Sequence, residues 1–143
     1  MPYIRIWVHL VWSTKHREPL LVESIRPKVF AHIAKNAKAK GIYLDAIGGY
    51  NDHVHCLISL GSEQTIAKVA QLIKGESAFW INKHQLTPKK LAWQAEYFAV
   101  SVSESIVDRV RKYIHRQEEH HRQKTFEEEY EEFMEKYNFE GLG

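Results

Sequence analysis

The chain has one cysteine, Cys56, in 143 residues. An internal disulfide is therefore excluded, and so is a zinc site built on several thiolates. No apolar run approaches the roughly 20 residues that a helix needs to cross a bilayer. Met1 to Val8 has no charged segment leading into a long apolar one, so no secretory signal is expected and a cytoplasmic location is. Several catalytic signatures are also missing. There is no His-Glu-x-x-His, no Gly-x-Ser-x-Gly and no phosphate-cradling glycine loop ahead of a lysine. Their absence argues against a zinc metalloprotease, an elbow-type serine hydrolase and a P-loop enzyme. A histidine-triad nucleotide hydrolase needs a third histidine two residues after a His-x-His pair, and Leu57 stands there. Repeats, low-complexity tracts and linkers are lacking, so residues 1–143 read as a single domain.

What is present suits a folded chain: 44% hydrophobic and 27% charged residues. The net charge of +2 hides an asymmetry. Residues 118–143 hold nine acids against three bases, which leaves 17 Lys+Arg and 9 Asp+Glu in residues 1–117. A basic body with an acidic tail points to a polyanionic partner such as nucleic acid. The alternative is a soluble protein with unevenly spread charge.

Hydrophobic periodicity sets the element order. Residues 3–13 alternate as a strand, with Ile4, Ile6, Val8 and Leu10 on one face and Arg5, Trp7, His9 and Val11 on the other. Ile25, Val29, Ile33 and Ala37 predict a helix over 23–40, stopped at Gly41. Residues 42–48 and 53–60 read as a strand pair joined through Gly49-Tyr50-Asn51-Asp52. Ser62 is a candidate cap for a helix over about 63–84, and 96–102 reads as a fourth strand. Ser103 or Ser105 would cap a third helix reaching His121, with Ile106, Val107, Val110 and Ile114 inward. Thr125 and Glu128 form a capping box for a last helix with a Phe126, Tyr130, Phe133 and Tyr137 stripe. The order β-α-β-β-α-β plus two helices predicts an α+β fold of the ferredoxin-like, RRM-like split βαβ type. Its four-stranded antiparallel sheet would carry helices on one face and leave the other available for function.

That second face would present His53 and His55, one residue apart in GGYNDHVHCLISL, while Val54, Cys56 and Ile58 point to the core. Two imidazoles so placed can ligate one metal ion. Alone, the pair reads first as polar residues on a solvated face. A metal site needs a further ligand, and the third helix offers Tyr113, Gln117, His120 and His121, of which Tyr113 and Gln117 share a face.

In combination these residues resemble the single-tyrosine HUH transposases of small prokaryotic insertion sequences. HUH denotes His-hydrophobic-His, here His53-Val54-His55, and the second signature is a helix with a tyrosine and a glutamine four residues on, here Tyr113-Ile114-His115-Arg116-Gln117. HLVWSTKHREPLL near the start and AWQAEYFAVSVSES before the helix also resemble the family, and the likeness runs from about Tyr3 to Tyr137. The resemblance implies that Tyr113 is the nucleophile, forming a 5′-phosphotyrosine with single-stranded DNA. It implies that His53, His55 and Gln117 hold a divalent ion, Mg2+ or Mn2+. It further implies a homodimer, DNA ends marked by hairpins, and helices over about 104–137 that carry the nucleophile and a packing or dimer helix. Lys15, Arg17, Lys74, Arg111 and Lys112 are candidate contacts to DNA phosphates. Two rival expectations stand beside this one. One is a non-catalytic single-stranded nucleic-acid binding module in which Tyr3, Trp7 and Tyr97 stack bases. The other is a metal-dependent phosphodiesterase that uses water and has no need of Tyr113.

Overall fold

A computed structural model describes residues 3–121 and positions 128, 131, 132 and 135. The elements follow in the order β1 (Trp7–Ser13), α1 (Arg26–Ala39), β2 (Tyr43–Tyr50), β3 (His53–Ser59), α2 (Ile66–Lys83), β4 (Phe98–Val102), α3 (Val107–His115) and α4 (Gln117–His121). The strands form one antiparallel sheet in the order β2-β3-β1-β4, which is the split βαβ arrangement. The Thr125 cap and the Phe126, Tyr130, Phe133 and Tyr137 stripe lie outside the described residues. Among the described residues, no helix is long and apolar enough to cross a membrane.

Local physics accounts for the shifts in element ends. β1 begins at Trp7, not Tyr3, because Trp7 is the first residue with partners on both sides, Ser59 and Val102. α2 is capped by Thr65, whose hydroxyl accepts from the Lys68 N–H, three residues past the expected Ser62. α3 starts without the expected serine cap. Ser103 and Ser105 instead bond each other across a 3-10 turn.

Two cores sandwich the sheet. Leu10, Trp12, Val54, Cys56 and Ile58 meet α1 and α2 through Val29, Ile33, Val69 and Ile73. On the opposite face Trp7, Ala46 and Leu57 meet Val107, Val110 and Ile114 of α3. The face expected to stand open is therefore covered by α3, and His53, His55 and His9 are fully buried beneath it. The apolar residues of α3 sit at spacings of three and four, a stripe that water disfavours until it docks. Two backbone features admit the helix. Gly48 has no side chain where the Ile114 carbonyl lies: a Cβ there would sit 2.1 Å from that oxygen. At Asp45 the β2–β3 register shifts, and its carboxylate meets Arg111 Nε at 2.7 Å.

Candidate active site

His53 and His55 project to the same side of β3, their ring centres 5.0 Å apart. They occupy a central strand, so both imidazoles are buried with the second core. His53 Nδ1 lies 2.7 Å from Asp52 Oδ1, so the ring N–H donates to the carboxylate. His53 Nε2 lies 3.2 Å from Gln117 Oε1; it donates there if the ring carries both protons, and a neutral ring would present a lone pair. The Gln117 amide nitrogen donates to the Tyr113 carbonyl, also at 3.2 Å. Reversing the amide would instead set its oxygen against that carbonyl. A ring nitrogen lone pair and an amide oxygen pointed at each other suit a cation between them, and the carboxylate behind the ring strengthens it as a ligand. Among the described residues no group of three or more His, Cys, Asp and Glu side chains is placed to hold a metal ion. The side-chain oxygen placed beside the histidine pair is that of the Gln117 amide, 3.2 Å from His53 Nε2.

Tyr113 stands edge-on to His55, with ring centres 5.8 Å apart, and to His9 at 6.3 Å. The single helix expected to run to His121 is broken at Arg116. Its N–H bonds the Lys112 and Tyr113 carbonyls, and α4 starts at Gln117. Tyr113 and Gln117 still reach the same pocket of chain, as the spacing of four requires. His120 and His121 lie in α4, and their side chains are outside the description.

Three residues of this region have no site role in the sequence pattern. His9 on β1 has its Nε2 3.0 Å from His55 Nδ1. Asp52, the immediate neighbour of His53, was a legible signal for a ring-orienting carboxylate. Arg26, at the start of α1, is buried and ties three segments together. It donates to the Leu21 carbonyl at 2.8 Å, to Asn51 Oδ1 at 2.6 Å and to Glu118 Oε1 at 2.6 Å. It thereby fixes α4 and the β2–β3 turn on either side of Gln117 and His53. An Arg26→Ala protein is expected to lose about 2–3 kcal/mol, since buried acceptors lose a charged donor while the half-exposed Glu118 regains water. The melting temperature should fall by roughly 5–10 °C, and Arg26→Lys should recover only part because an ammonium lacks the planar fork. A melt of Arg26→Ala matching the parent would remove Arg26 from this role.

The five candidate phosphate contacts are differently placed. Lys15, Arg17 and Lys112 are exposed. Lys15 and Arg17 belong to a turn following β1 in which His16 and Arg17 have φ of 58° and 54°. That turn lies at the His53 end of the sheet, where Ser13 pairs with His53 and the Thr14 N–H bonds the Asp52 carbonyl. Arg111 is held by Asp45 and Asp108, and the bond to Asp45 raises its pKa. Lys74 donates to the carbonyls of Gln94 and Ala95, and burial lowers its pKa. Cys56 is buried in the first core, which pushes its thiol pKa up and leaves it unsuited to nucleophilic work.

The chain is similar to known proteins in sequence and in fold. The family model "Transposase IS200 like" matches residues 3–117. The ISDra2 transposase TnpA of Deinococcus radiodurans is 29% identical over 114 residues, covering 76% of this chain and 81% of that protein. A crystal structure of a transposase from Deinococcus radiodurans superposes with a TM-score of 0.63 at 27% identity, covering 80% of this chain and 92% of the other. A REP-associated tyrosine transposase bound to a REP hairpin shares the fold, with a TM-score of 0.56 at 15% identity over 80% of this chain and 66% of its own.

Proposed function

From the premise that the chain belongs to the IS200-like transposase family, we propose that it cleaves and rejoins single-stranded DNA at hairpin-marked element ends through a phosphotyrosine intermediate. The observation that carries this reading is the clustering within one chain of Tyr113 against His55, His55 beside His53, and His53 against Gln117.

The chemistry follows from what each residue can do. The Tyr113 oxygen attacks the scissile phosphorus, an Oη–P bond forms, and the P–O3′ bond breaks. The phenolic proton is lost to solvent, and the departing 3′-oxygen takes up a proton. The DNA 5′-phosphate remains on the tyrosine, so a later 3′-hydroxyl reseals the strand by the reverse exchange without an energy source. His53, His55 and Gln117 would hold Mg2+ or Mn2+, which supplies electrophilic stabilisation to the phosphate and the leaving oxygen. This ligand set carries no charge of its own, so affinity for the ion should be weak until DNA phosphate joins it.

The basic turn at Lys15 and Arg17, with the exposed Lys112 next to Tyr113, is the best-supported track for the DNA backbone. Lys74 and Arg111 contribute after rearrangement of their present partners. Residues 1–143 act as one domain, in which α3 carries the nucleophile. We place the active protein in the cytoplasm as a homodimer. Here Tyr113 approaches the histidine pair of its own chain.

Of the aromatics that a purely stacking DNA binder would use, Tyr3 is exposed but Trp7 is buried and bonded to Glu104. The deciding experiment incubates the protein with end-labelled single-stranded hairpin DNA and Mn2+. A labelled, denaturant-resistant protein band, absent with EDTA, is expected. Binding unaffected by EDTA without any cleavage would favour the non-catalytic module. Cleavage leaving a free 5′-phosphate would favour the water-using phosphodiesterase.

A further inference from the structure

We propose that His9 is a positioning residue that sets the tautomer of His55 and so turns its Nε2 lone pair toward the ion; this rests on reading His55 as a metal ligand. The two rings are fully buried, and His9 Nε2 lies 3.0 Å from His55 Nδ1. One proton must lie between these nitrogens, because two N–H groups or two lone pairs would repel. If His55 donates from Nδ1, its Nε2 carries a lone pair and can ligate. If His9 donates instead, the His55 proton moves to Nε2 and the ring is blocked as a ligand. Metal binding therefore requires His9 as the acceptor, with the His9 proton on Nδ1.

The backbone explains why this contact forms. β1 and β3 are neighbours at the centre of the sheet, with His9 opposite Leu57 and His55 opposite Val11. His9 and His55 are thus diagonal neighbours on one face, the relation in which long side chains touch. Their rings are 5.2 Å apart and tilted by 37°, and together they floor the Tyr113 ring. The pair repeats the logic of its neighbour: Asp52 accepts from His53 Nδ1, and His9 accepts from His55 Nδ1. The second acceptor is neutral, so the pocket keeps a single carboxylate behind its two imidazoles. One ring orienter also packs the nucleophile, so ligand geometry and tyrosine placement share a side chain.

Two variants separate orientation from packing. His9→Phe keeps a flat ring against Tyr113 but cannot accept a hydrogen bond, whereas His9→Gln offers an amide oxygen near the lost Nε2. Titration with Mn2+ followed by electron paramagnetic resonance, in the presence of uncleavable single-stranded DNA, should show about 10- to 100-fold weaker binding in His9→Phe. His9→Gln should return most of it. The independent readout is 15N NMR of the imidazoles with Mg2+. His55 should carry its proton on Nδ1 in the parent and in His9→Gln, and shift toward Nε2 in His9→Phe. If a folded His9→Phe keeps both the parental Mn2+ affinity and the Nδ1–H form of His55, His9 only packs and the proposal is overturned. A parent that binds no Mn2+ and forms no DNA adduct would sink the transposase reading. The NMR comparison, repeated without metal, would then still decide whether His9 controls the His55 tautomer.

Discussion

A Tyr113→Phe protein is expected to bind hairpin-bearing single-stranded DNA as the parent does and to form no covalent adduct with it. The substitution removes one oxygen and nothing else. The ring remains edge-on to His55 and His9, and the apolar anchors Val107, Val110 and Ile114 of α3 are untouched. Folding stability should therefore change by no more than about 0.5 kcal/mol. Strand cleavage should fall by about four orders of magnitude or more, the scale on which loss of a nucleophile acts when the remaining machinery depends on it. Denaturing gels of labelled DNA measure the adduct, and calorimetry with Mn2+ checks that the ligand set survives. The same gels serve a second purpose, because an enzyme that activates water would go on cutting. Persistent cleavage in Tyr113→Phe, with or without an adduct, would assign the chemistry to another group and leave the histidine pair in a different mechanism.

The second large effect comes from a residue with no side chain. Gly48→Ala should cost the protein about 1–3 kcal/mol, the usual range for overpacking, and lower adduct formation by roughly 100-fold. A Cβ at this position would lie 2.1 Å from the Ile114 carbonyl oxygen and 3.0 Å from its carbon. Those are backbone atoms, so no rotamer change relieves the contact, and α3 must lift by about 1 Å to regain van der Waals distance. That helix carries Tyr113, and Gln117 follows two residues beyond its end. A displacement of about 1 Å at reacting groups is enough for a loss on the order of 100-fold. Gly41→Ala is the natural control. Gly41 also needs glycine, since its φ is 72°, yet no atom lies within 4 Å of its added Cβ. It should lose about 1 kcal/mol of stability and keep the parental adduct rate. Comparing rates per folded molecule for the two alanine variants isolates helix placement from general destabilisation. A Gly48→Ala protein as active as Gly41→Ala would show that α3 need not lie at this depth.

The elements were legible because each depends on local pattern. Val29, Ile33 and Ala37 mark one face of α1 at a spacing of four, and Val54, Cys56 and Ile58 mark one face of β3 at a spacing of two. Ends were less legible, since they depend on partners. β1 starts pairing at Trp7, opposite the end of β4 at Val102, and α3 breaks at Arg116 where the Gln117 side chain takes up the Tyr113 carbonyl. The histidine pair showed the same division. Its common face was evident from alternation, but alternation says nothing about what lies above that face.

By itself, then, the sequence determined the order of the strands and helices, the shared face of His53 and His55, and the spacing of four between Tyr113 and Gln117. These are properties of neighbours along the chain, set by the two-residue period of a strand and the turn of a helix. Only the tertiary structure decided that α3 closes over the histidines, that Gly48 makes room for it, and that His9 and Asp52 come within hydrogen-bond distance of the two rings. Those outcomes turn on strand register and on the depth at which a helix docks. Both arise from burying apolar surface between segments distant in sequence, and a burial of that kind leaves no periodic trace in either segment alone.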